Sequence, residues 1–412
     1  MEQTPKSLRL QIGLFGRTNV GKSSFLNLLC GQDVAVTSEL PGTTTDVVEK
    51  AVELLPVGPV LFLDTAGLND DSALAGKRLE KTTKTIDRAD VFVCIVEPDA
   101  WTDIEENIAA ASVRRRMPLI IVVNKADLTA PSEAFLSRCR RHTELVMTCS
   151  STIAAQRDHA VGAFKALLLK ATADKSAPSL PLIGDLVTPG GLAVLVVPID
   201  LQAPRGRLIL PQVQTIRDAL DNDACAIVVK EREYAHLLKK LTAPPDLVVC
   251  DSQVVMKMVA DTPESVPCTT FSILFSRYKG DLLEQVKGLA AVDRLKDDDK
   301  VLIAEACSHH ALADDIGRVK IPRWLRQYTG ARLTIDVSGG RDYPDNLKDY
   351  SLVIHCGSCM LTRNETLARI DRARTMGIPI TNYGLCIAAI QGVLHRVLSP
   401  FPAALDAYGC TP

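Results

Sequence analysis

The eight residues Gly16-Arg-Thr-Asn-Val-Gly21-Lys22-Ser23 constrain this chain more than any other stretch. They fit G-x-x-x-x-G-K-S, in which a strand turns sharply, wraps an anion in backbone N–H groups and re-enters a helix. The context agrees: residues 8–15 form an apolar run of strand length, and 24–30 read as a helix. Glycines let N–H groups approach phosphate oxygens with no Cβ in the way. The following helix N-terminus adds positive potential. Lys22 is expected to reach the β- and γ-phosphates, and the Ser23 hydroxyl to ligate Mg²⁺.

Three further motifs follow in order. Asp64-Thr65-Ala66-Gly67 comes after the apolar run 60–63; its carboxylate can hold Mg²⁺ and the Gly67 N–H can bond a γ-phosphate. Asn124-Lys125-Ala126-Asp127 comes after the run 119–123. A carboxylate at Asp127 accepts both guanine N1–H and N2–H₂, a donor pair that adenine lacks. Pro41-Gly42-Thr43-Thr44-Thr45-Asp46 lies between the phosphate loop and Asp64, where a switch segment belongs. The expected nucleotide-binding set is Gly16, Asn19, Val20, Gly21, Lys22, Ser23, Ser24, Asp64, Gly67, Asn124, Lys125, Asp127 and Ser150, with Mg²⁺ on Ser23, Thr44 and Asp64.

The chain has 412 residues, enough for two to four domains. Short apolar runs at 8–15, 60–63, 91–96, 119–123 and 145–148 alternate with helical periods, the pattern of an α/β fold with a mostly parallel sheet. A second series places strands at 192–198, 224–229, 247–249 and 270–275, and a third at 301–306, 332–337 and 352–355. The fold class is therefore α/β, with three consecutive α/β domains. No run approaches the roughly 18 apolar residues of a membrane span, and the first ten residues lack the apolar stretch of a secretory signal. A cytoplasmic protein without a membrane partner is expected. A net charge of −2 argues against a dominant nucleic-acid-binding surface.

Twelve cysteines are too few for a disulfide scaffold of this length. Cys30, Cys94, Cys225 and Cys250 lie in or beside apolar elements and read as core packing. Cys139, Cys149, Cys268 and Cys410 have no Cys or His at ligand spacing, and Cys386 opens a helix. Three remain. Cys307-Ser-His309 ends the strand 301–306, and His355-Cys356-Gly-Ser-Cys359 ends the strand 352–355. In C-x-x-C two sulfurs converge because the turn folds back, and Gly357 is expected to aid that turn. Carboxyl ends of parallel strands share one edge, where ligands usually bind, so Cys307, Cys356 and Cys359 can meet. Three thiolates with a histidine suit structural zinc or a [4Fe-4S] cluster equally well.

Residues 8–171 resemble the small GTPases of the Era/TrmE group, which carry G-x-x-N-x-G-K-S and a P-G-T-T switch. The resemblance implies GTP and Mg²⁺ as cofactors. It makes Thr44 the switch threonine, with Thr43 and Thr45 as alternatives, and puts Ser150 or Ser151 in the base-side loop. Leu68 stands where Ras-type proteins carry a water-orienting Gln, so hydrolysis is expected to be slow. In TrmE-like GTPases an Asn at the position of Asn19 helps hold a monovalent cation, which implies K⁺-stimulated hydrolysis; an Asn here also suits a turn that needs an unusual backbone angle. Lys22, Asn19, Thr44 and Gly67 are the expected catalytic groups.

The whole chain resembles the HydF family of [FeFe]-hydrogenase maturation GTPases, through the GTPase motifs together with C-x-H and H-C-x-x-C downstream. That resemblance implies a GTP-binding domain at 7–171, a linker at 172–185, a dimerisation domain at 186–280 and a cluster-binding domain at 281–412. It implies a [4Fe-4S] cluster on Cys307, Cys356 and Cys359, with His309, His355 or an exogenous group as the labile fourth ligand; His310 is a neighbouring ambiguity. It further implies a homodimer that carries a di-iron cargo, works with radical-SAM maturases and delivers to apo-[FeFe]-hydrogenase. The alternative reading is a ribosome- or RNA-associated GTPase with a carboxyl-terminal zinc domain.

Overall fold

Aliphatic runs of strand length form strands, and the longer amphipathic periods between them form the helices that cover the sheets. The computed structural model describes residues 4–30, 48–64, 75–173, 180–198, 208–306, 315–340, 343–344 and 346–409. These divide into two compact units, 1–178 and 179–412.

The first unit runs β1 (Leu10–Phe15), α1 (Lys22–Cys30), β2 (Val48–Leu54), β3 (Gly58–Asp64), α2 (Ala75–Arg88), β4 (Val91–Val96), α3 (Asp103–Arg115), β5 (Leu119–Val123), α4 (Glu133–His142), β6 (Val146–Thr148) and α5 (Arg157–Ala173). Its described strands form one sheet in the order β2-β3-β1-β4-β5-β6. All neighbours are parallel except β2, which runs antiparallel to β3. Strands β4 and β5 are buried at every residue, as parallel strands covered on both faces must be. One face packs Phe25 edge-on to Phe164, and the other packs Phe15 on Phe92. Each such buried apolar side chain contributes about 1.5–3 kcal/mol. Strand β2 was not expected from the apolar runs: it is an edge strand that carries Glu49, Lys50 and Glu53 among its seven residues.

The second unit runs β7 (Leu192–Val196), α6 (Leu210–Asp221), β8 (Cys225–Val229), α7 (Tyr234–Lys240), β9 (Leu247–Cys250), α8 (Val255–Asp261), β10 (Cys268–Thr270), α9 (Phe271–Lys279) and α10 (Leu282–Lys287), then β11 (Lys300–Ala304), α11 (Ile321–Thr329), β12 (Thr334–Ser338), β13 (Leu352–His355), α12 (Arg363–Thr375), β14 (Ile380–Asn382), α13 (Tyr383–Ile390), α14 (Leu394–Val397) and α15 (Pro402–Gly409). Two parallel four-stranded sheets result, ordered β10-β9-β7-β8 and β12-β11-β13-β14. They are the second and third α/β units expected, and they share one apolar core, in which Val194 and Val249 belong with Ile303 and Ile354. The boundary drawn at 280/281 falls between Gly280, the C-cap of α9, and Asp281, the N-cap of α10.

Two local readings need correction. Residues 270–275 are not a strand: β10 stops at Thr270, whose hydroxyl accepts from the Ile273 N–H at 3.2 Å and starts α9 with no loop between. The stretch 172–185 is not all linker. α5 extends to Ala173, while Leu182 and Ile183 are buried in the second core, where the Asp218 carboxylate accepts from the N–H groups of Ile183 and Gly184 at 2.8 and 2.9 Å.

Candidate functional site

Strand β1 delivers the chain into the phosphate-loop sequence, and α1 takes it out. Gly16 has φ +136°, and a Cβ there would lie 2.2 Å from the Ile95 carbonyl oxygen on the neighbouring strand β4. Gly21 has φ +93°, and its Cβ would lie 2.2 Å from Asn124 Nδ2. Asn19 adopts the left-handed conformation with φ 65°, which Asn tolerates better than most residues. Lys22 is buried, and its Nζ donates to the carbonyls of Gly16 at 2.8 Å and Arg17 at 2.6 Å. Its ammonium therefore lies over its own loop.

Parallel pairing of β1 with β3 brings Leu14 opposite Asp64. Ser23 Oγ donates to Asp64 Oδ2 at 3.4 Å, so the hydroxyl and carboxylate expected to share Mg²⁺ are adjacent. A hard cation needs oxygen donors of this kind, and the pair fits it. Ser24 and Asp127 are exposed, and Val20 is buried with no accessible surface.

Asn124 organises the other side. It is 1% exposed; its Nδ2 donates to the Val20 carbonyl at 2.9 Å, and its Oδ1 accepts from Ser151 N–H at 3.0 Å and Cys149 Sγ at 3.6 Å. One side chain thus ties the phosphate loop to the loop after β6. Ser150 is buried, yet it is the neighbouring Ser151 whose N–H meets Asn124. Cys149 has no Cys or His at ligand spacing, and its partner is an amide oxygen; burial pushes its thiol up to about 12 and leaves it a neutral donor. Lys125 has φ 60° and pairs with Glu97, while Arg17 pairs with the buried Glu105 at 3.1 Å. Neither pair was signalled by spacing, because each partner comes from another element. Thr43, Thr44, Thr45, Gly67 and Leu68 lie outside the described residues.

A second cluster lies at the carboxyl ends of β11 and β13, where Ala304 pairs with His355. Cys356 N–H donates to the Ala304 carbonyl at 2.9 Å, and Ala306 N–H donates to Cys356 Sγ at 3.1 Å. Ala306 immediately precedes Cys307 in the sequence. Cys307, His309 and His310 themselves lie outside the described residues, and among the described ones no three His, Cys, Asp or Glu side chains form a metal-holding group. The turn is made by Ser358, with φ 56°; Gly357, given that task from sequence, has no positive φ.

His355 is placed differently from a free ligand. It has no exposed surface, and Arg369 Nη1 lies 3.1 Å from Nε2. A guanidinium only donates, so Nε2 accepts and the proton sits on Nδ1, which faces the Cys356 carbonyl at 2.9 Å and Ser358 Oγ at 3.1 Å. Burial, with Arg369 adding to it, pulls the imidazole down to about 3 and keeps it neutral. In this arrangement both ring nitrogens are engaged within the chain, and His355 supports the turn from behind.

The donor chemistry of this turn fits an iron–sulfur cluster. Two thiols share one loop, and an N–H already points at one sulfur. Burial raises the Cys359 thiol, and the Lys279 ammonium opposes that rise. Lys279 itself is 3% exposed; burial lowers it to about 8, against the pull of Cys359 and Glu365.

Three family models match the chain: one described as a 50S ribosome-binding GTPase over 11–125, one as the hydrogen maturase F dimerization domain over 182–280, and one as the hydrogen maturase F tetramerization domain over 283–400. The first unit is thus a GTPase domain, and the second carries two oligomerisation domains. The tRNA modification GTPase MnmE of Synechococcus sp. (strain JA-3-3Ab) is 43% identical over 126 residues, 30% of this chain and 27% of that protein. MnmE of Prochlorococcus marinus (strain NATL2A) is 41% identical over 122 residues, 29% of this chain and 26% of that one. The chain therefore spans about a quarter of the length of these curated relatives. Among solved structures, Aquifex aeolicus Era bound to GDP and AlF₄⁻ matches with a TM-score of 0.30 at 17% identity, over 56% of this chain and 97% of that one. No helix among the described residues is long and apolar enough to cross a membrane.

Proposed function

Because the chain belongs to the hydrogen maturase F family, we propose that it is a GTP-hydrolysing scaffold that holds a [4Fe-4S] cluster on Cys307, Cys356 and Cys359 and carries a di-iron precursor to apo-[FeFe]-hydrogenase. The observation that supports the cluster most is the Ala306 N–H on Cys356 Sγ, one residue before Cys307. It links the chain just after β11 to the cysteine turn that follows β13.

In the GTPase domain, Lys22 and the loop N–H groups neutralise and orient the phosphates, and Asp127 selects guanine. Ser23, Asp64 and Thr44 hold Mg²⁺, which supplies charge neutralisation at the phosphate oxygens. Hydrolysis is stimulated by K⁺ at Asn19. Wild type should hydrolyse GTP faster in K⁺ than in Na⁺, and Asn19→Ala should abolish the difference; equal wild-type rates in the two salts overturn this assignment.

At the second site, three thiolates retain the cluster, whose fourth iron supplies an exchangeable coordination position. Cys307, Cys356 and Cys359 anchor it, Ala306 N–H stabilises one thiolate, and Arg369 holds His355 away. His309 or an exogenous group is then the labile ligand. The dimerisation and tetramerisation domains supply a homodimer and its higher assembly. Radical-SAM maturases load the di-iron cargo. Incubated anaerobically with those maturases, the wild-type protein should activate apo-hydrogenase and Cys356→Ala should not. Equal activation by both rejects the carrier role.

The zinc reading has the ribosome-binding description of residues 11–125 in its favour. Metal analysis separates the two.

A further inference from the structure

Helix α9 belongs to the segment matched as a dimerisation domain, whereas the C-x-x-C turn belongs to the segment matched as a tetramerisation domain. Lys279, the last residue of α9, crosses between them. Its Nζ donates to the carbonyls of Leu361 at 2.8 Å, Cys359 at 3.1 Å and Ser358 at 3.5 Å. An ammonium has three donors, and these three acceptors all lie on the turn that carries Cys359. A basic residue at a helix end ordinarily faces its own last carbonyls or water. Here the side chain runs past Phe275, whose ring centroid lies 5.6 Å from Nζ, into a buried site.

The helix that carries Lys279 is fixed at both ends against the same neighbour. At its start, Asn382 Nδ2 donates to the Ser272 carbonyl at 3.0 Å, and Gly384 N–H donates to Ser272 Oγ at 3.1 Å. A Cβ at Gly384 would lie 2.7 Å from Ser272 Cβ, so the approach requires glycine. Near its end, Arg363 Nη1 donates to the Tyr278 carbonyl at 2.6 Å. The ammonium is thus delivered by a rigid strut. Burying a charged group is costly unless it has strong partners, so a buried lysine aimed at one loop marks a demand made by that loop.

We infer that Lys279 is a positioning residue for the metal-binding turn: its buried ammonium fixes the backbone of residues 358–361, and with it the direction of the Cys359 sulfur, while placing a positive charge on the turn that would hold the cluster. The inference rests on the proposal that Cys356 and Cys359 hold the cluster. It has two separable consequences. Order of the turn comes from the three hydrogen bonds and exists without metal. The charge acts on the cluster itself, because a nearby cation stabilises the reduced, more negative form.

Both are read in the full-length protein with Lys279→Met, which removes donors and charge, and Lys279→Gln, which keeps the two N–H donors of an amide without the charge. In the metal-free protein, amide exchange across 357–362 should lose protection in Lys279→Met, while amides of β11 and β13 stay protected as an internal control of folding. Lys279→Gln should show the same loss at smaller amplitude, and it carries the test if the Met variant does not fold. After anaerobic reconstitution, iron release to a chelator should be about 10–100-fold faster in Lys279→Met. The reduction potential should shift downward in both variants, a response that a lysine serving only packing would not give. Unchanged amide protection in both variants overturns the inference. If wild type itself retains no iron, the cluster proposal falls, and the exchange comparison still decides whether Lys279 holds the turn.

Discussion

Replacing Gly21 with alanine is expected to weaken GTP binding by about 100-fold or more. At φ +93° an L-residue is strained by about 1–3 kcal/mol. The added Cβ would also lie 2.2 Å from Asn124 Nδ2. That atom cannot give way freely, because it donates to the Val20 carbonyl at 2.9 Å while the same side chain accepts from Ser151 N–H at 3.0 Å. Losing a buried hydrogen bond costs about 1–3 kcal/mol. The loop escapes both penalties only by leaving the conformation that aims its N–H groups at phosphate. At about 1.4 kcal/mol per tenfold, a loss near 3 kcal/mol gives the stated effect. Titration with a fluorescent GTP analogue measures it. Gly58→Ala is the matched control: φ is +101°, but nothing lies within 4 Å of its Cβ. It should bind nucleotide like wild type, and equal losses in the two variants would show that strain alone is at work.

Replacing Cys356 with alanine should remove the broad absorption near 400 nm expected of a reconstituted cluster and leave GTP affinity unchanged. The variant deletes one of the three proposed anchoring thiolates and the acceptor of the Ala306 N–H together. Two remaining cysteines do not hold a four-iron cluster against a chelator. Cys356 lies in 179–412 and the phosphate loop in 1–178, so the nucleotide arm of the measurement reports on a separately packed unit. Retention of the full absorption would take Cys356 out of the ligand set.

The phosphate loop and Asn124-Lys125-Ala126-Asp127 were legible because each is a short continuous string read against the strand before it. Pairing of β1 with β3 then brought Ser23 and Asp64 together as their separate motifs implied. The hydrogen bond from Cys149 to Asn124 was not legible, since a lone cysteine at a strand end looks like any packing residue. The strand expected at 270–275 failed for a physical reason: Thr270 serves as both the last strand residue and a helix cap, so no turn residues announce the change. His355 shows the limit of spacing more sharply. Its position beside Cys356 suggested a ligand, but Arg369, 14 positions away, takes its Nε2. Lys279 reaches a carbonyl 80 positions distant and gave no local signal at all. Motifs record the groups that touch a ligand in sequence order, whereas the groups that hold them in place come from whatever packs behind.

We propose that one chain joins a GTPase domain to an iron–sulfur scaffold. The most direct test is the iron, acid-labile sulfide and zinc content of the wild-type protein purified without oxygen. Wild type should hold about four iron and four sulfide per chain with no stoichiometric zinc. One zinc per chain with neither iron nor sulfide would contradict the proposal and favour a structural Cys₃His site.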